Sequence, residues 1–404
     1  MAGVSAIPGK SIMAKHRSAA ALNLAIFFFM FGVGMIVPLL PRKIIALNGS
    51  LQSVGYLASA FAVSFVLLQF PMGRLADRFG FKRFLLAGYF ICAASGLFYC
   101  FSDTPKMIFL GRMLQGIGEA PMWALAPALL SILYPGSKGK VIGFYNASIH
   151  LGLTGGSAAA ILVTAFWLNN ESFLLFALTG ALGFFFILVG VREPVRKAAL
   201  ESQGSIDREA LMALFKDPLT LVVFGGIILY GAGYGIFITV LPGFLIQDAG
   251  FSPTEVGWFF MLFYVAISLS QAITGPISDR HGSWKTMVSG LMAVALGVSM
   301  FSGRQQTWAL YAWLFAASFG LGVFCVSALA WLNDRVGDSL KGTVSGTFYL
   351  LWGIGYFLAP PFLGSAGRVL KTSTGFYLMA LCYFFLAFLL GTVHYRRKSG
   401  PGKI

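Results

Sequence analysis

Twelve runs of about 20 mostly apolar residues follow one another along this 404-residue chain, separated by short polar connections. Wound as an α-helix rising about 1.5 Å per residue, such a run matches the roughly 30 Å hydrocarbon thickness of a bilayer. Lipid offers no partner to a backbone N–H or C=O, so each segment must satisfy its own hydrogen bonds, which a helix does within itself. The runs cover 18–40, 53–75, 82–101, 106–133, 140–167, 172–191, 219–245, 255–276, 285–302, 307–332, 342–367 and 374–395. They predict an all-α membrane protein with twelve transmembrane helices. Composition agrees: 11% of the residues are charged, where soluble domains carry about 25%.

Twelve spans place both termini on one side. The connections on that side hold 22 Lys and Arg and those on the other hold six, so the positive-inside bias predicts cytoplasmic termini. The net charge of +15 then follows insertion topology and is no footprint of nucleic-acid binding. The lipid bilayer is the expected partner, and an integral multi-pass protein of a bacterial inner (plasma) membrane is the expected setting. The first 17 residues lack the apolar core and cleavage site of a signal peptide, so the first span is expected to stay attached. Ala2 excludes the myristoylation motif. Cys92, Cys100, Cys325 and Cys382 all fall in predicted spans without metal-ligand spacing and read as lipid-facing or core residues. Neither a nucleophile–base pairing nor a metal cluster nor a phosphate-cradling loop is legible, so neither an enzyme nor a cofactor is expected.

The polar phrase "QFPMGRLADRFGFK" at 69–82 returns as "QAITGPISDRHGSWK" 202 positions later. Val54-Gly55-Tyr56 matches Val256-Gly257-Trp258, Gln69 matches Gln271, Gly73 matches Gly275, and Asp77-Arg78 matches Asp279-Arg280. Farther on, Lys138-Gly139 matches Lys341-Gly342 and Gly152 matches Gly355 at an offset of 203. The chain is therefore an internal duplication. The charged stretch 192–217 reads as a linker between a six-helix bundle at 1–191 and a second at 218–404, a pseudo-symmetric pair of the kind many secondary transporters use. One chain carries both halves, so a monomer is expected.

These residues resemble the major facilitator superfamily over essentially the whole chain. Its signature between the second and third spans is matched by Gly73, Leu75, Ala76, Asp77, Arg78, Gly80, Lys82 and Arg83, with Phe81 where the family usually has a basic residue. The resemblance implies a cytoplasmic latch between the halves at Gly73, Asp77, Arg78, Gly80, Lys82 and Arg83, with a degenerate and weaker second copy at Asp279 and Arg280. Physically, Gly80 permits a left-handed turn, Asp77 suits a helix N-terminus or an arginine, and the basic residues suit an anionic membrane surface.

The fourth span, "FLGRMLQGIGEAPMWALAPALL", resembles a second signature of the family at Arg112, Gln115, Gly116 and Gly118. In proton-coupled members that arginine is implicated in proton transfer. Spacings of three and four put Arg112, Gln115, Glu119 and Met122 on one helix face. A carboxylate in mid-span must face a cavity, pair with a cation or hold a proton, which makes Glu119 a coupling candidate. Alternatively Glu119 neutralises a neighbouring arginine or bonds another helix. Arg112 lies about 10.5 Å away along the axis, so a direct pair needs both side chains at full reach. At the 203 offset Glu119 becomes Gly322 and Arg112 becomes Phe315, so the duplication did not keep the charges.

In the fifth span Asn146, His150 and Thr154 form a polar stripe, and His150 is a second proton-handling candidate or a satisfied interhelical bond. Gly152, Gly155 and Gly156 resemble the fifth-span signature of antiporters without its proline. The second half is poor in buried charge and rich in aromatics: Tyr230, Tyr234, Tyr264, Tyr349, Trp352 and Tyr356 read as packing, or as the wall of a substrate cavity.

The resulting expectation is a secondary active transporter working by alternating access, nearest in pattern to the twelve-helix drug/proton antiporters: proton-coupled, multidrug-type efflux of small amphipathic or hydrophobic compounds. Gln115, Met122, Asn146 and Thr154 join the aromatics as expected cavity residues, and protons are the expected coupling ion. Proton-linked or exchange transport of a small organic anion or other metabolite, and translocation of a lipid or lipid-linked sugar, remain open alternatives.

Overall fold

The computed structural model describes residues 8–37, 39–47, 51–166, 170–193, 206–247, 250–301, 306–366 and 372–399. These described residues form fifteen helices, and twelve of them have 17 to 29 residues: α1 (Pro8–Ile36), α3 (Leu51–Phe79), α4 (Phe81–Cys100), α5 (Pro105–Leu133), α6 (Lys138–Phe166), α7 (Glu171–Gly190), α9 (Pro218–Thr239), α11 (Pro253–His281), α12 (Ser283–Ser299), α13 (Thr307–Asp334), α14 (Lys341–Ala366) and α15 (Thr372–Ser399). Each takes up one of the twelve apolar runs. Nine are long and apolar enough among the described residues to cross a membrane.

Three short helices, α2 (Leu39–Ala46), α8 (Ile206–Lys216) and α10 (Leu241–Gln247), depart from the sequence reading. The first run ends as a helix at Ile36, and its tail belongs to α2; the seventh ends at Thr239, and its tail belongs to α10. Both breaks sit beside a proline placed in the opening turn of the next helix, Pro41 and Pro242. There the missing N–H costs no bond, whereas inside a continuous helix it would. Helix α8 lies within the expected linker, of which 194–205 is outside the described residues, as are the expected loop cations at 196, 197, 304, 368, 371 and 403.

Local chemistry sets several helix starts. Asp217 caps α9 by accepting from the Thr220 N–H, followed by Pro218 in the first turn. Ser252 and Glu255 form a reciprocal capping box at the start of α11. The reversals α3–α4 and α11–α12 each turn on a glycine with positive φ, Gly80 at 95° and Gly282 at 89°, equivalents in the repeat.

Packing divides the chain into two compact units. One comprises Met1–Pro135, Leu151–Leu200 and Lys341–Gly346; the other comprises Gly136–His150, Glu201–Leu340 and Thr347–Ile404. Helices α6 and α14 thus each divide between the units. In the first unit α5 is the central helix, with 83% of its apolar window buried, and in the second α13 is, with 72%. In the first unit Lys43 of α2 closes the end of α4: its ammonium donates to the carbonyls of Tyr99 and of Cys100 (3.2 Å) and to Asn170 Oδ1 (2.7 Å), and sits 4.9 Å from the Phe173 ring centroid. A cation on the last carbonyls of a helix also meets the negative end of its dipole. Burial pulls the Lys43 ammonium below the ordinary lysine pKa.

The α12–α13 crossing is backbone on backbone. A Cβ on Gly320 would stand 2.6 Å from the Gly290 carbonyl oxygen and 2.8 Å from the Val294 nitrogen, whereas one on Gly257 of α11 would meet nothing within 4 Å. The same Gly→Ala change should therefore carry opposite signs at the two positions. Gly320→Ala is expected to destabilise by about 1–3 kcal/mol through overpacking. Gly257→Ala is expected to be neutral or to stabilise by up to about 1 kcal/mol. Thermal unfolding of the detergent-solubilised protein reads both; equal midpoints for the two variants would mean that the crossing is loose.

Candidate functional site

Glu119 is the middle residue of α5 and is 3% exposed. Its neighbours on the same helix face arrange a continuous chain of hydrogen bonds. Gln115 Nε2 donates to Glu119 Oε1 at 2.8 Å, and Trp123 Nε1 donates to Glu119 Oε2 at 3.3 Å. On its other side Gln115 Oε1 accepts from Arg112 Nη1 at 3.0 Å and from Tyr99 Oη at 2.7 Å. Arg112 in turn donates from Nε to the Leu57 carbonyl (3.3 Å) and lies 4.7 Å from the Phe61 ring centroid. Arg112 and Glu119 are joined through Gln115, which resolves the problem of reach: the amide spans the gap that two long side chains would have to close. Both carboxylate oxygens accept. Protonation would turn one of these oxygens into a hydroxyl, a weaker acceptor with a hydrogen of its own to place.

Met122, placed on this face by the sequence reading, is fully buried. Tyr99 of α4 and Trp123 were missed. Trp123 stands four residues after Glu119, so the same i, i+4 spacing could have found it; Tyr99 comes from another helix, and no spacing rule reaches it. Cys92, read as a lipid-facing or core residue, is buried and places its thiol 3.8 Å from the Gln115 carbonyl oxygen.

A second cluster gathers in the other unit. His150 Nδ1 lies 2.9 Å from the Asn146 carbonyl oxygen. A carbonyl only accepts, so the neutral ring carries its proton on Nδ1 and leaves Nε2 as the acceptor nitrogen. The imidazole lies 6.0 Å from Tyr234 and 6.2 Å from Tyr264, centroid to centroid, and beside the Gln271 amide. Tyr234 is the hub, with Phe263 at 5.1 Å, Trp352 at 5.7 Å, Tyr356 at 5.9 Å and Tyr230 at 6.3 Å. Tyr349 Oη donates to Asn146 Oδ1 at 3.4 Å, a bond between equivalent positions of the repeat, and Asn146 Nδ2 approaches the Cys325 sulfur at 3.9 Å. The structure thus brings together His150, Asn146 and all six aromatic candidates. Thr154, on the same helix, is half-buried and lies in the first unit. Gln271 and Cys325 are members of the cluster that the sequence reading had left outside it.

The repeated polar phrase has a structural use in both copies. Asp77 of α3 caps the start of α14: its carboxylate accepts from the backbone N–H of Gly342 (2.8 Å) and Thr343 (2.6 Å) and from the Thr343 hydroxyl (2.7 Å). Asp279 of α11 caps α6 in the same way, accepting from Gly139 N (2.8 Å) and Lys140 N (2.8 Å). Lys140 stands where the first copy has Thr343, so the second cap lacks the hydroxyl; it is also exposed, while Asp77 is buried. An anion at a helix N-terminus answers both the orphan N–H groups and the dipole. Gly73 and Gly275 let the helices close in, for a Cβ on either would run into the backbone of Gly342 or Gly139.

The basic residues of the phrase behave differently from one another. Lys82 donates to the Leu188 and Val191 carbonyls (both 2.8 Å), closing the end of α7, and Arg78, Arg83 and Arg280 are exposed. Glu193, unsuspected from sequence, caps α4 by accepting from the N–H groups of Phe81 and Lys82. Lys138 pairs with Asp334, and its repeat equivalent Lys341 lies 3.5 Å from the carbonyl oxygen of Ser131.

Comparison with known proteins agrees with this architecture. The sequence profile of the Major Facilitator Superfamily matches residues 22–230 and again 223–403. The chromaffin granule amine transporter of Rattus norvegicus is 25% identical over 332 residues, 80% of this chain and 61% of that protein. The synaptic vesicular amine transporter of Homo sapiens is 23% identical over 366 residues, 88% of this chain and 68% of that protein. Multidrug resistance protein 2 of Bacillus subtilis (strain 168) is 25% identical over 282 residues, 68% of this chain and 70% of that protein. The chain thus spans under two thirds of the rat amine transporter's length. Among solved structures, the human organic anion transporter MFSD10 (TETRAN) superposes with a TM-score of 0.77 at 19% identity, covering 93% of this chain and 99% of that one. The E. coli fucose:proton symporter FucP does so with 0.74 at 15%, covering 93% and 98%. At these identities the likeness is one of fold. With the profile matched along nearly all of both halves, the chain belongs to the major facilitator superfamily of membrane transporters.

Proposed function

We propose that this transporter exports small amphipathic or hydrophobic compounds in exchange for protons, by alternating access, with Glu119 carrying the proton. The observation that carries the reading is the buried mid-span carboxylate with a neutral donor on each oxygen and an arginine one amide away. Such a group exchanges a proton only by rearranging its partners, which is what a coupling site requires. The aromatic cluster around Tyr234 supplies flat apolar faces with hydroxyl and indole edges, a surface suited to the body of an amphipathic substrate. Amine transporters and a multidrug resistance protein among the relatives fit that substrate class. An organic-anion substrate would need a cation turned toward it, and Arg112 is engaged by Gln115, Leu57 and Phe61.

In this reading the halves 1–191 and 218–404 alternate, the termini face the cytoplasm of a bacterial cell, and one chain suffices. The caps of Asp77 on α14 and Asp279 on α6 are the cytoplasmic latch, made and broken in each cycle. His150, with its acceptor Nε2, is the second proton-handling group.

Two measurements test it. In proteoliposomes loaded with a pH-sensitive dye and challenged with a panel of lipophilic cations and small carboxylates, the wild type is expected to move protons against a lipophilic cation. Glu119→Gln should lower that flux on the order of 100-fold or more, and flux of wild-type size in Glu119→Gln would sink the assignment. For the latch, Asp77→Asn is expected to change turnover by about tenfold and Asp279→Asn by no more than about threefold. Three charge-assisted bonds at a buried site outweigh two at an exposed one. Equal effects would contradict the difference in burial.

A further inference from the structure

We propose that Tyr99 is a positioning residue for Glu119, acting through Gln115: its hydroxyl helps lock the Gln115 amide so that Glu119 always meets the N–H and never the C=O. The inference rests on Glu119 being the proton carrier, and it assigns a role to a residue on a different helix that neither the sequence pattern nor the family resemblance picks out.

The neighbours of the Gln115 amide identify its two terminal atoms. An amide can be turned over, so which atom faces which neighbour follows from the neighbours. Arg112 has donors only, and its Nη1 lies 3.0 Å from one end of the Gln115 amide; that end is therefore Oε1. Tyr99 Oη, 2.7 Å from the same atom, must then be donating. With two donors converging on Oε1, the other end presents Nε2–H to Glu119 Oε1 at 2.8 Å. Turning the amide over would put an NH2 against a guanidinium and leave the carboxylate facing a carbonyl. Donation onto Oε1 also polarises the amide and strengthens the N–H that reaches Glu119.

Tyr99 is built in for this task. The side chain is fully buried, with its ring 5.8 Å from Phe173 and 6.2 Å from Phe176. Gly111 of α5 makes room for it, since a Cβ there would stand 2.6 Å from the Tyr99 ring. Its own carbonyl is gripped by Lys43. Among the described residues, the titratable and charged groups near Glu119 are Arg112 on its own helix and Tyr99 and Cys92 on α4. Phe61 and Phe65 approach from α3, the former under Arg112 and the latter edge-on to Trp123 at 6.1 Å. Among the described residues, Tyr99 is thus the side chain from outside α5 that bonds the Gln115 amide.

The test is infrared titration of the full-length protein in nanodiscs, following the carboxylic C=O band that disappears in Glu119→Gln. Tyr99→Phe keeps the ring against Phe173 and Phe176 and deletes only the hydroxyl. Weaker donation to the ionised carboxylate should move the Glu119 midpoint upward by about half a pH unit, and Gln115→Leu, which removes the donor, by about one unit or more. The double variant should titrate like Gln115→Leu alone, because the proposed action of Tyr99 runs through the amide. An unmoved or lowered midpoint in Tyr99→Phe overturns the proposal, as does additivity in the double variant or a Glu119 band that does not titrate. The readout needs no substrate, so it separates from the coupling assay: a shifted midpoint without substrate-driven proton flux would leave Tyr99 in its role and remove the exporter reading.

Discussion

In the middle of a bilayer a carboxylate has no water to fall back on, and desolvating an unpaired charge there costs several kcal/mol. The first unit meets this constraint at Glu119 with a ladder of partners along one helix face. The ladder runs from the Leu57 carbonyl through Arg112 and Gln115 to Glu119 and Trp123. Removing any rung leaves a polar group stranded in hydrocarbon, so the packing around the ladder is itself constrained. Gly111 leaves space for Tyr99, Gly116 leaves space for Ser64, and Phe61 and Phe65 wall the α3 side. Much of the small-residue content of α5 is explained by what its polar face has to accommodate.

The same demand for internal satisfaction governs the helix ends. Asp77, Asp279, Asp217 and Glu193 serve N-termini, and Lys43 and Lys82 serve C-termini, each placed where the dipole favours its charge. Two of these devices join helices far apart in sequence, since Asp77 lies 265 positions from Gly342 and Asp279 lies 140 from Gly139. A cap of this kind has two clear states, made and broken, and its loss exposes N–H groups that water or lipid headgroups can satisfy. A packed apolar contact offers no comparable exchange. In the alternating-access reading proposed above, carboxylate caps are suitable contacts to open and close.

How far the sequence reaches can be judged residue by residue. Period, length and the demand of lipid for internally bonded backbone make the twelve long helices legible, and the 202–203 offset makes the duplication legible. The spacing of Arg112, Gln115 and Glu119 reveals a shared face because they belong to one helix. Tyr99, Gln271 and Glu193 were not legible, since each enters its cluster from a different helix or loop and only tertiary packing brings it there. Hydropathy also passed over the breaks before α2 and α10, because Pro41 and Pro242 interrupt a helix without making it polar. Cys325 read as filler because an isolated thiol carries no pattern; its contact with Asn146 becomes visible only once α6 and α13 are placed.

The two copies share their turns and caps but not the buried charge. The α12–α13 crossing at Gly290 and Gly320 repeats the α4–α5 crossing at Gly88 and Gly118 at an offset of 202, so in the fold Leu321 and Leu314, and not Gly322 and Phe315 of the 203 offset, stand where the first copy has Glu119 and Arg112. Both leucines are buried. An acid at 321 would lack its cation two turns away, because Leu314 stands in the place of Arg112. A second buried charge would also add its own desolvation cost without a ladder to offset it. The two units therefore hold different chemistries, a charged ladder around α5 in the first and an aromatic cluster around Tyr234 in the second.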